Sequence, residues 1–281
     1  RRYTAHREQL RMALNEAGWD GEWYRRAYFD NGHPLGTKDA TECRIDGLAQ
    51  AWAVLSGAAP SERAALAMAS AERHLIRDDD GLLRLLTPPF VSMEDDPGYI
   101  KGYVAGVREN GGQYTHASCW MVAAAAKLGW RDKAAKWLTM LSPMAHAKRD
   151  LNRYKVEPYV IAADVYGAEP HVGRGGWTWY TGSAGWALRV AVESVLGLRI
   201  EHGTTLVLKP CVPDDWPEYR IDYTSNQEVV FHIHVRNPSG CAATVLSATL
   251  DGIEVEIVEG EARVPISHGA SEHELMVILG H

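Results

Sequence analysis

The chain has 281 residues, of which 46% are hydrophobic and 23% charged, and a formal net charge of −7. This length suffices for one large domain or two ordinary ones, and the composition is that of a soluble globular protein. The acidic balance argues against nucleic acid as the main partner, and no apolar run approaches the ~20 residues that cross a bilayer. The four cysteines form no CxxC pair, which argues against a metal site and predicts a reducing, cytoplasmic compartment.

Up to residue 198, helical patterns alternate with long glycine-rich loops. Apolar spacing and stop signals predict helices at Tyr3–Ala17, Arg44–Ser56, 61–76 (capped by Ser61), Thr115–Leu128, Asp132–Leu141, Glu157–Tyr166 and Ser183–Leu196. The second, fourth, sixth and seventh are apolar on nearly all sides, whereas the others carry charge along one face. Buried inner helices covered by outer ones predict part of an α/α toroid, with a globular helical bundle as the alternative.

The loops that precede the inner helices are unusually long. They cover residues 18–43, 77–114, 142–156 and 168–182. Loops of this length within a compact domain are usually functional, so we expect a site where they meet.

After residue 198 the pattern changes to short β-rich runs. Asp251-Gly252 and Asn237–Gly240 are turn signals, and "FHIHV" alternates apolar and polar positions. We therefore predict a small antiparallel β-sandwich over 199–281, following a helical domain over 1–198.

Two stretches combine residues suited to sugars and anions: "RENGGQYTH" (Arg108–His116) and "GGWTWYTGSAGW" (Gly175–Trp186). Both lead into predicted inner helices, whose first N–H groups are unpaired and attract anions. Thr181 adds a hydroxyl, Gly182 permits close backbone approach, and His116 can donate to the same anion. These residues therefore predict a phosphate site.

A purely structural interpretation of the same residues is open. Thr115 and Thr181 could be helix caps, and His116 a partly buried histidine without a ligand. Glu109 could hold sugar hydroxyls or only its own loop. Trp177 and Trp179 could stack on sugar or belong to the core.

The segments "DPGYIKGYVAGVRENGGQYTHASCW", "KVEPYVIAADVYG" and "GRGGWTWYTGSAGWALR" together resemble glycoside hydrolase family 94. Within the family, the resemblance is strongest to the C-terminal part of cyclic β-1,2-glucan synthases and to β-1,2-oligoglucan phosphorylases. It extends over almost the whole chain, since "WDGEWYRRAYFDNGHPLG" and "CRIDGLAQAWAVLSGAA" fit the same group. The resemblance implies an (α/α)6 barrel followed by a small β-sandwich.

Members of this family are inverting phosphorylases, in which inorganic phosphate attacks the anomeric carbon and releases a sugar 1-phosphate. The resemblance implies phosphate contacts at His116, Thr181 and Gly182, a sugar contact at Glu109 and a further one at Arg108. Glu157, in "VEPY", receives no firm role. Phosphate is then a co-substrate, a β-glucan oligosaccharide is the partner, and neither a metal nor another cofactor is expected.

The family's general acid, an aspartate in a "DWNDG"-like motif, has no counterpart here, and Asp20 in "GWDGEW" does not match it. We therefore expect no catalytic residue in this chain, and a parent polypeptide whose N-terminal part supplies the acid. About four inner helices, where a closed barrel needs six, agree with this expectation. The open barrel edge leaves homodimerisation possible, and the parent could be anchored in the inner membrane by other segments.

Three functional classes follow from these features. The first is a phosphorylase acting on β-1,2-glucan, of which this chain alone would be inactive. An inverting hydrolase is the second, and it would need an additional carboxylate to activate water. The third is a non-catalytic carbohydrate-binding fragment.

Overall fold

The computed structural model describes residues 2–226, 228–266 and 271–281. The chain forms two compact units. The first extends to Leu128 and continues over Lys136–Leu188. The second comprises Gly129–Ala135 and Arg189–His281.

The α-helices of the described residues lie between residues 2 and 189. The helices are α1 (Arg2–Glu16), α2 (Gly47–Leu55), α3 (Ser61–Leu75), α4 (Thr115–Lys127), α5 (Arg131–Met140), α6 (Pro143–Tyr154) and α7 (Thr181–Arg189), with a 3₁₀ turn at Gly98–Gly102. Two-residue strands lie in the loops: β1 (Ala27–Tyr28), β2 (Pro34–Leu35), β3 (Ile45–Asp46), β4 (Ile76–Arg77), β5 (Leu82–Leu83), β6 (Leu86–Thr87), β7 (Gln113–Tyr114) and β8 (Asp164–Val165). They pair antiparallel as β1–β2, β3–β6, β4–β5 and β7–β8.

Helices α2 and α4 pack against each other and carry much of the core of the first unit. Their small residues allow close approach: a Cβ on Gly47 would lie 2.7 Å from the sulfur of Met121. Helix α1 buries no residue, whereas α3 buries one face. The predicted contrast between one-sided and all-round apolar helices is therefore confirmed for α3 and α4, whereas α1 buries neither face.

Two predicted elements are wrong. Residues 157–166 form turns and strand β8 instead of a helix, because backbone groups of this segment bond to a neighbouring segment. Thr115 N–H, for example, donates to Ala163 O at 3.0 Å, and β8 pairs with β7. Conversely, the predicted loop at 142–156 contains α6, which has Pro143 in its first turn, where proline favours helix initiation.

Two further details differ from prediction. Ser61 is the first residue of α3 and Pro60 occupies the cap position, without a side-chain hydrogen bond. Helix α7, predicted as a buried inner helix, buries only Ser183 and leaves Leu188 68% exposed. A π-helical turn, Val190–Val195, follows α7.

The second unit is rich in β-structure. Its strands are β9 (Leu198–Glu201), β10 (Thr205–Leu208), β11 (Glu218–Thr224), β12 (Val229–Arg236), β13 (Thr244–Leu250), β14 (Ile253–Val255), β15 (Ile257–Val258), β16 (Glu261–Pro265) and β17 (Ser271–Gly280). They form one sheet in the order β15-β16-β10-β9 and another in the order β11-β12-β17-β13-β14. The alternation in β12 buries Val229, Phe231, Ile233 and Val235, as the sequence pattern predicts.

The second sheet is not purely antiparallel. Strand β12 pairs with β17 in parallel, whereas the other pairs in both sheets run antiparallel. The prediction of a wholly antiparallel arrangement is therefore wrong at this pair. A hairpin turn cannot join parallel neighbours, and β13 to β16 lie between β12 and β17 along the chain. A helical part followed by a β-rich part is confirmed, and closure into an (α/α)6 barrel remains a prediction.

Candidate active site

A tight turn presents Arg108 and Glu109 just before β7. Arg108 has a left-handed φ of 50°, and Gly112 N–H donates to its carbonyl at 3.2 Å. The Arg108 guanidinium lies over the rings of Tyr103 and Trp177, 5.5 and 5.3 Å from their centroids. Its Nε is 3.5 Å from Glu109 Oε2, and neither atom has a hydrogen-bond partner although both are buried. The turn therefore offers both a donor and an acceptor to a ligand.

The buried side chain of Asn110 fixes this turn. Its Oδ1 accepts the Phe90 N–H at 2.7 Å, and its Nδ2 donates to Phe90 O at 2.9 Å and to Tyr103 O at 2.8 Å. Buried polar groups are costly unless hydrogen-bonded, so these three bonds specify one conformation for the residues on either side. Glu109 and Arg108 are thus held by a rigid support.

A fully buried carboxylate, Asp164, lies behind the turn. Its Oδ1 accepts the Trp177 N–H at 3.2 Å and lies 4.0 Å from Arg108 Nη1, whereas Oδ2 has no hydrogen-bond partner. Loss of hydration on burial raises the pKa of Asp164, and the positive charge of Arg108 opposes this rise. A Cβ on Gly176 would clash with Oδ1, so only glycine leaves room for this carboxylate.

Tyr114 connects the turn to helix α4. It lies opposite Asp164 in the β7–β8 pair and occupies the cap position of α4. Burial raises the pKa of its hydroxyl, the Glu109 carboxylate raises it further, and Arg108 lowers it. Because Tyr114 occupies the cap position, Thr115 is the first residue of α4. The alternative prediction that Thr115 is a helix cap is therefore wrong.

His116 lies in the first turn of α4, as predicted. Its ring centroid is 4.6 Å from that of Trp120 and 5.9 Å from that of Trp186 in α7. Burial lowers its pKa, because loss of hydration disfavours the charged imidazolium. Its Nε2 is buried and has no hydrogen-bond partner, as is also true of Thr115 Oγ1 and Trp120 Nε1. Unsatisfied buried polar atoms call for a ligand or an ordered water.

Thr181 and Gly182 are the first two residues of α7, and both are exposed. No atom would lie within 4 Å of a Cβ on Gly182, so space is open in front of this helix start. The contact between α7 and His116 is made by Trp186, one turn further along. The buried Oγ of Ser183 has no hydrogen-bond partner and was not singled out from the sequence.

The aromatic residues before α7 do not belong to the core. Trp177, Trp179 and Tyr180 are 55%, 67% and 48% exposed, so the core interpretation of the two tryptophans is wrong. Trp179 Nε1 donates to Glu157 Oε1 at 3.0 Å. The pKa of Glu157 is lowered by its own backbone N–H and by this indole donor.

The structure thus places four of the predicted or associated residues in two groups. Arg108 lies between the carboxylates of Glu109 and Asp164, and His116 shares an aromatic cluster with Trp186. Asp164 was missed in sequence reasoning because its segment was assigned to a buried helix. The signal was present, since a single carboxylate within the apolar run "IAADVY" needs a partner when it is buried.

Asp20, which the sequence analysis excluded as the general acid, has a structural role. It binds Arg25 at 2.8 Å through one oxygen and the Lys38 N–H at 2.7 Å through the other. Among the described residues no cluster of three or more His, Cys, Asp and Glu side chains could hold a metal ion. Within the same residues, no helix has the length and apolar character that spanning a bilayer requires.

Comparison with known proteins identifies the family. Residues 1–197 match the catalytic domain of the glycosyl hydrolase 94 superfamily, and the chain belongs to this family.

Three relatives illustrate the similarity. The chain is 48% identical over 226 residues to cyclic beta-(1,2)-glucan synthase NdvB of Rhizobium meliloti (strain 1021), covering 80% of this chain and 8% of that protein. It is 32% identical over 282 residues to N,N'-diacetylchitobiose phosphorylase of Vibrio proteolyticus, covering 99% of this chain and 34% of that protein. It is 29% identical over 248 residues to solabiose phosphorylase of Paenibacillus borealis, covering 88% of this chain and 32% of that protein. The chain therefore spans at most about a third of the length of these relatives.

Proposed function

We propose that this chain is the C-terminal section of an inverting phosphorylase that acts on β-1,2-glucan. Inorganic phosphate attacks the anomeric carbon of the terminal glucose, the glycosidic C–O bond breaks, and glucose 1-phosphate leaves. The departing oxygen takes its proton from a carboxylic acid in a part of the polypeptide outside this chain. Phosphate is already a nucleophile, so no second carboxylate is needed to activate water.

The substrate class rests on similarity. The glucan synthase is the relative with the higher identity, and the phosphorylases cover nearly the whole chain. In a cyclic glucan synthase this section would set chain length by phosphorolysis before ring closure. We propose 1–198 as the C-terminal portion of an (α/α)6 barrel and 199–281 as a β-sandwich.

The observation that carries the proposal is the set of unsatisfied polar atoms at the start of α4. The His116 imidazole has an unpartnered nitrogen, and its ring contacts Trp186 of α7, whose first N–H groups can bind an anion together with Thr181 and Gly182. Glu109 and Arg108 lie on the same chain segment, seven and eight residues earlier, and supply acceptor and donor atoms for sugar hydroxyls. An anion and a sugar ring would therefore bind side by side.

The test is glucose 1-phosphate release from β-1,2-glucooligosaccharides by the full-length polypeptide. We expect His116→Ala to raise the KM for phosphate and to lower kcat/KM about 100-fold, because a donor to the anion is lost. Glu109→Gln should instead raise the KM for oligosaccharide about tenfold. The matched control is His171→Ala, at an exposed histidine of the same unit.

Three results separate the functional classes. Unchanged turnover in His116→Ala would refute the assigned phosphate site. Glucose release at an equal rate without phosphate would indicate a hydrolase. Oligosaccharide binding by the full-length polypeptide without any product would indicate a binding module. The isolated chain should release no product in any of these assays, because the proposed proton donor lies outside it.

A further inference from the structure

We propose that Asp164 is a positioning residue for oligosaccharide binding, which it promotes by holding the Arg108 guanidinium in place between Tyr103 and Trp177. The inference rests on the proposed function and adds a residue that the sequence did not single out. It concerns the sugar side of the site, and the phosphate contacts are unaffected.

The geometry distinguishes Asp164 from an ordinary buried carboxylate. Its side chain is completely shielded from solvent; Oδ1 accepts the Trp177 N–H, whereas Oδ2 has no hydrogen-bond partner. The nearest cation is Arg108, with Nη1 4.0 Å from Oδ1. A buried charge is costly unless it is paired, so Asp164 favours the arrangement in which this guanidinium stays close.

Arg108 needs such a partner because its other neighbours do not fix its orientation. It has a left-handed backbone, and its contact with Glu109 is long, at 3.5 Å. The rings of Tyr103 and Trp177 attract a cation but do not orient its N–H groups. With Asp164 behind it and aromatic rings beside it, the guanidinium keeps its remaining N–H groups for a sugar hydroxyl.

Asp164 also couples Arg108 to the aromatic segment before α7. The same Oδ1 that faces Arg108 accepts the N–H of Trp177, whose indole lies over Arg108. The backbone at Gly176 approaches so closely that a Cβ there would displace the carboxylate. The Asp164 carboxylate thus fixes the positions of both the Arg108 guanidinium and the Trp177 indole beside it.

A double-mutant cycle in the full-length polypeptide tests the proposal. The dissociation constant for β-1,2-glucooligosaccharide is measured by calorimetry without phosphate, in Asp164→Asn, Arg108→Ala and the double variant. Asparagine keeps the size of the side chain and the acceptor for Trp177 N–H but removes the charge. We expect Asp164→Asn to weaken binding about tenfold with native Arg108 and less than about twofold with Arg108→Ala. Under saturating oligosaccharide, kcat should change much less than the dissociation constant.

Gly176→Ala provides a second route that leaves both charges intact. Its new Cβ would push Asp164 away, so we expect the same weakening, again only when Arg108 is present. Thermal unfolding confirms that each variant is folded. The proposal would be overturned if the effect were equal in both Arg108 backgrounds, or if neither Asp164→Asn nor Gly176→Ala had an effect. It would also be overturned if both of these variants lost the folded state.

The same measurements keep this inference separate from the proposed function. If the native polypeptide binds no oligosaccharide, or releases no glucose 1-phosphate, the proposed function itself fails. If the native polypeptide does both, and His116→Ala impairs only the phosphate step, the outcome of the cycle decides on Asp164 alone.

Discussion

At the scale of single residues, the first unit buries several polar groups whose charge state depends on folding. His146, 5% exposed, stacks on Tyr154 with ring centroids 5.1 Å apart, and its Nε2 has no hydrogen-bond partner. Burial, together with the nearby positive charge of Arg149, lowers its pKa to about 4. Since an unfolded histidine titrates near 6.5, the unfolded state binds more protons between these values, and stability falls as pH decreases through this window.

We predict that His146→Phe flattens this dependence. Phenylalanine can keep the stacking on Tyr154 and does not titrate. Between about pH 7 and about pH 4, the native protein should lose up to about 3 kcal/mol more unfolding free energy than the variant. Urea denaturation at several pH values measures the difference, and exposed His171→Gln is the control. Parallel curves for the native protein and His146→Phe would contradict the assignment.

At the scale of elements, the loop over 103–112 is held by a side chain rather than by regular structure. Asn110 is fully buried and bonds the backbone of Phe90 and Tyr103. These bonds explain how a glycine-rich loop can present Arg108 and Glu109 in a single geometry. The Asn110 hydrogen bonds also support the start of α4, because β7 follows the loop directly and leads into that helix.

We predict that Asn110→Ala destabilises the first unit by about 3 kcal/mol, since it leaves buried backbone groups of Phe90 and Tyr103 without partners. It should also raise the KM for oligosaccharide, because the turn that carries Glu109 loosens. Chemical denaturation and steady-state kinetics measure the two effects. Exposed Asn152→Ala, in α6, is the matched control. A stability change as small as that of the control would show that the loop is held by other contacts.

The elements also show which features the sequence can reveal. Helices α1 to α5 follow from apolar spacing and stop signals, because those signals act within each helix. The segment 157–166 has helical spacing but bonds to β7 and α4, and such long-range pairing leaves no local signal. Helix α6 lies where the sequence predicts a loop, and it begins at Pro143, since proline also favours the first turn of a helix.

Site prediction has the same limit. His116, Glu109 and Arg108 are predicted as site residues because short motifs carry them. Asp164 was missed because its importance depends on a neighbour 56 residues away in sequence. The parallel pairing of β12 with β17 was missed for the same reason, since strand order between distant segments is not encoded in alternation.

At the scale of the whole molecule, membership of glycosyl hydrolase family 94 and the geometry of the site support one account. In the proposed function, the chain supplies the sugar and anion contacts of a phosphorolytic site, and another part of the polypeptide supplies the acid. The chain spans 8% and 34% of the lengths of two relatives. Phosphate is the proposed nucleophile, and the described residues are proposed to bind phosphate and sugar. The central claim is therefore that product formation depends on phosphate.

The most direct measurement is NMR of the products formed by the full-length polypeptide from β-1,2-glucooligosaccharide, at several phosphate concentrations. The account predicts α-glucose 1-phosphate, the inverted anomer, formed in proportion to phosphate until saturation, with a matching loss of one glucose unit from the glucan. Free glucose formed at the same rate with and without phosphate would contradict it.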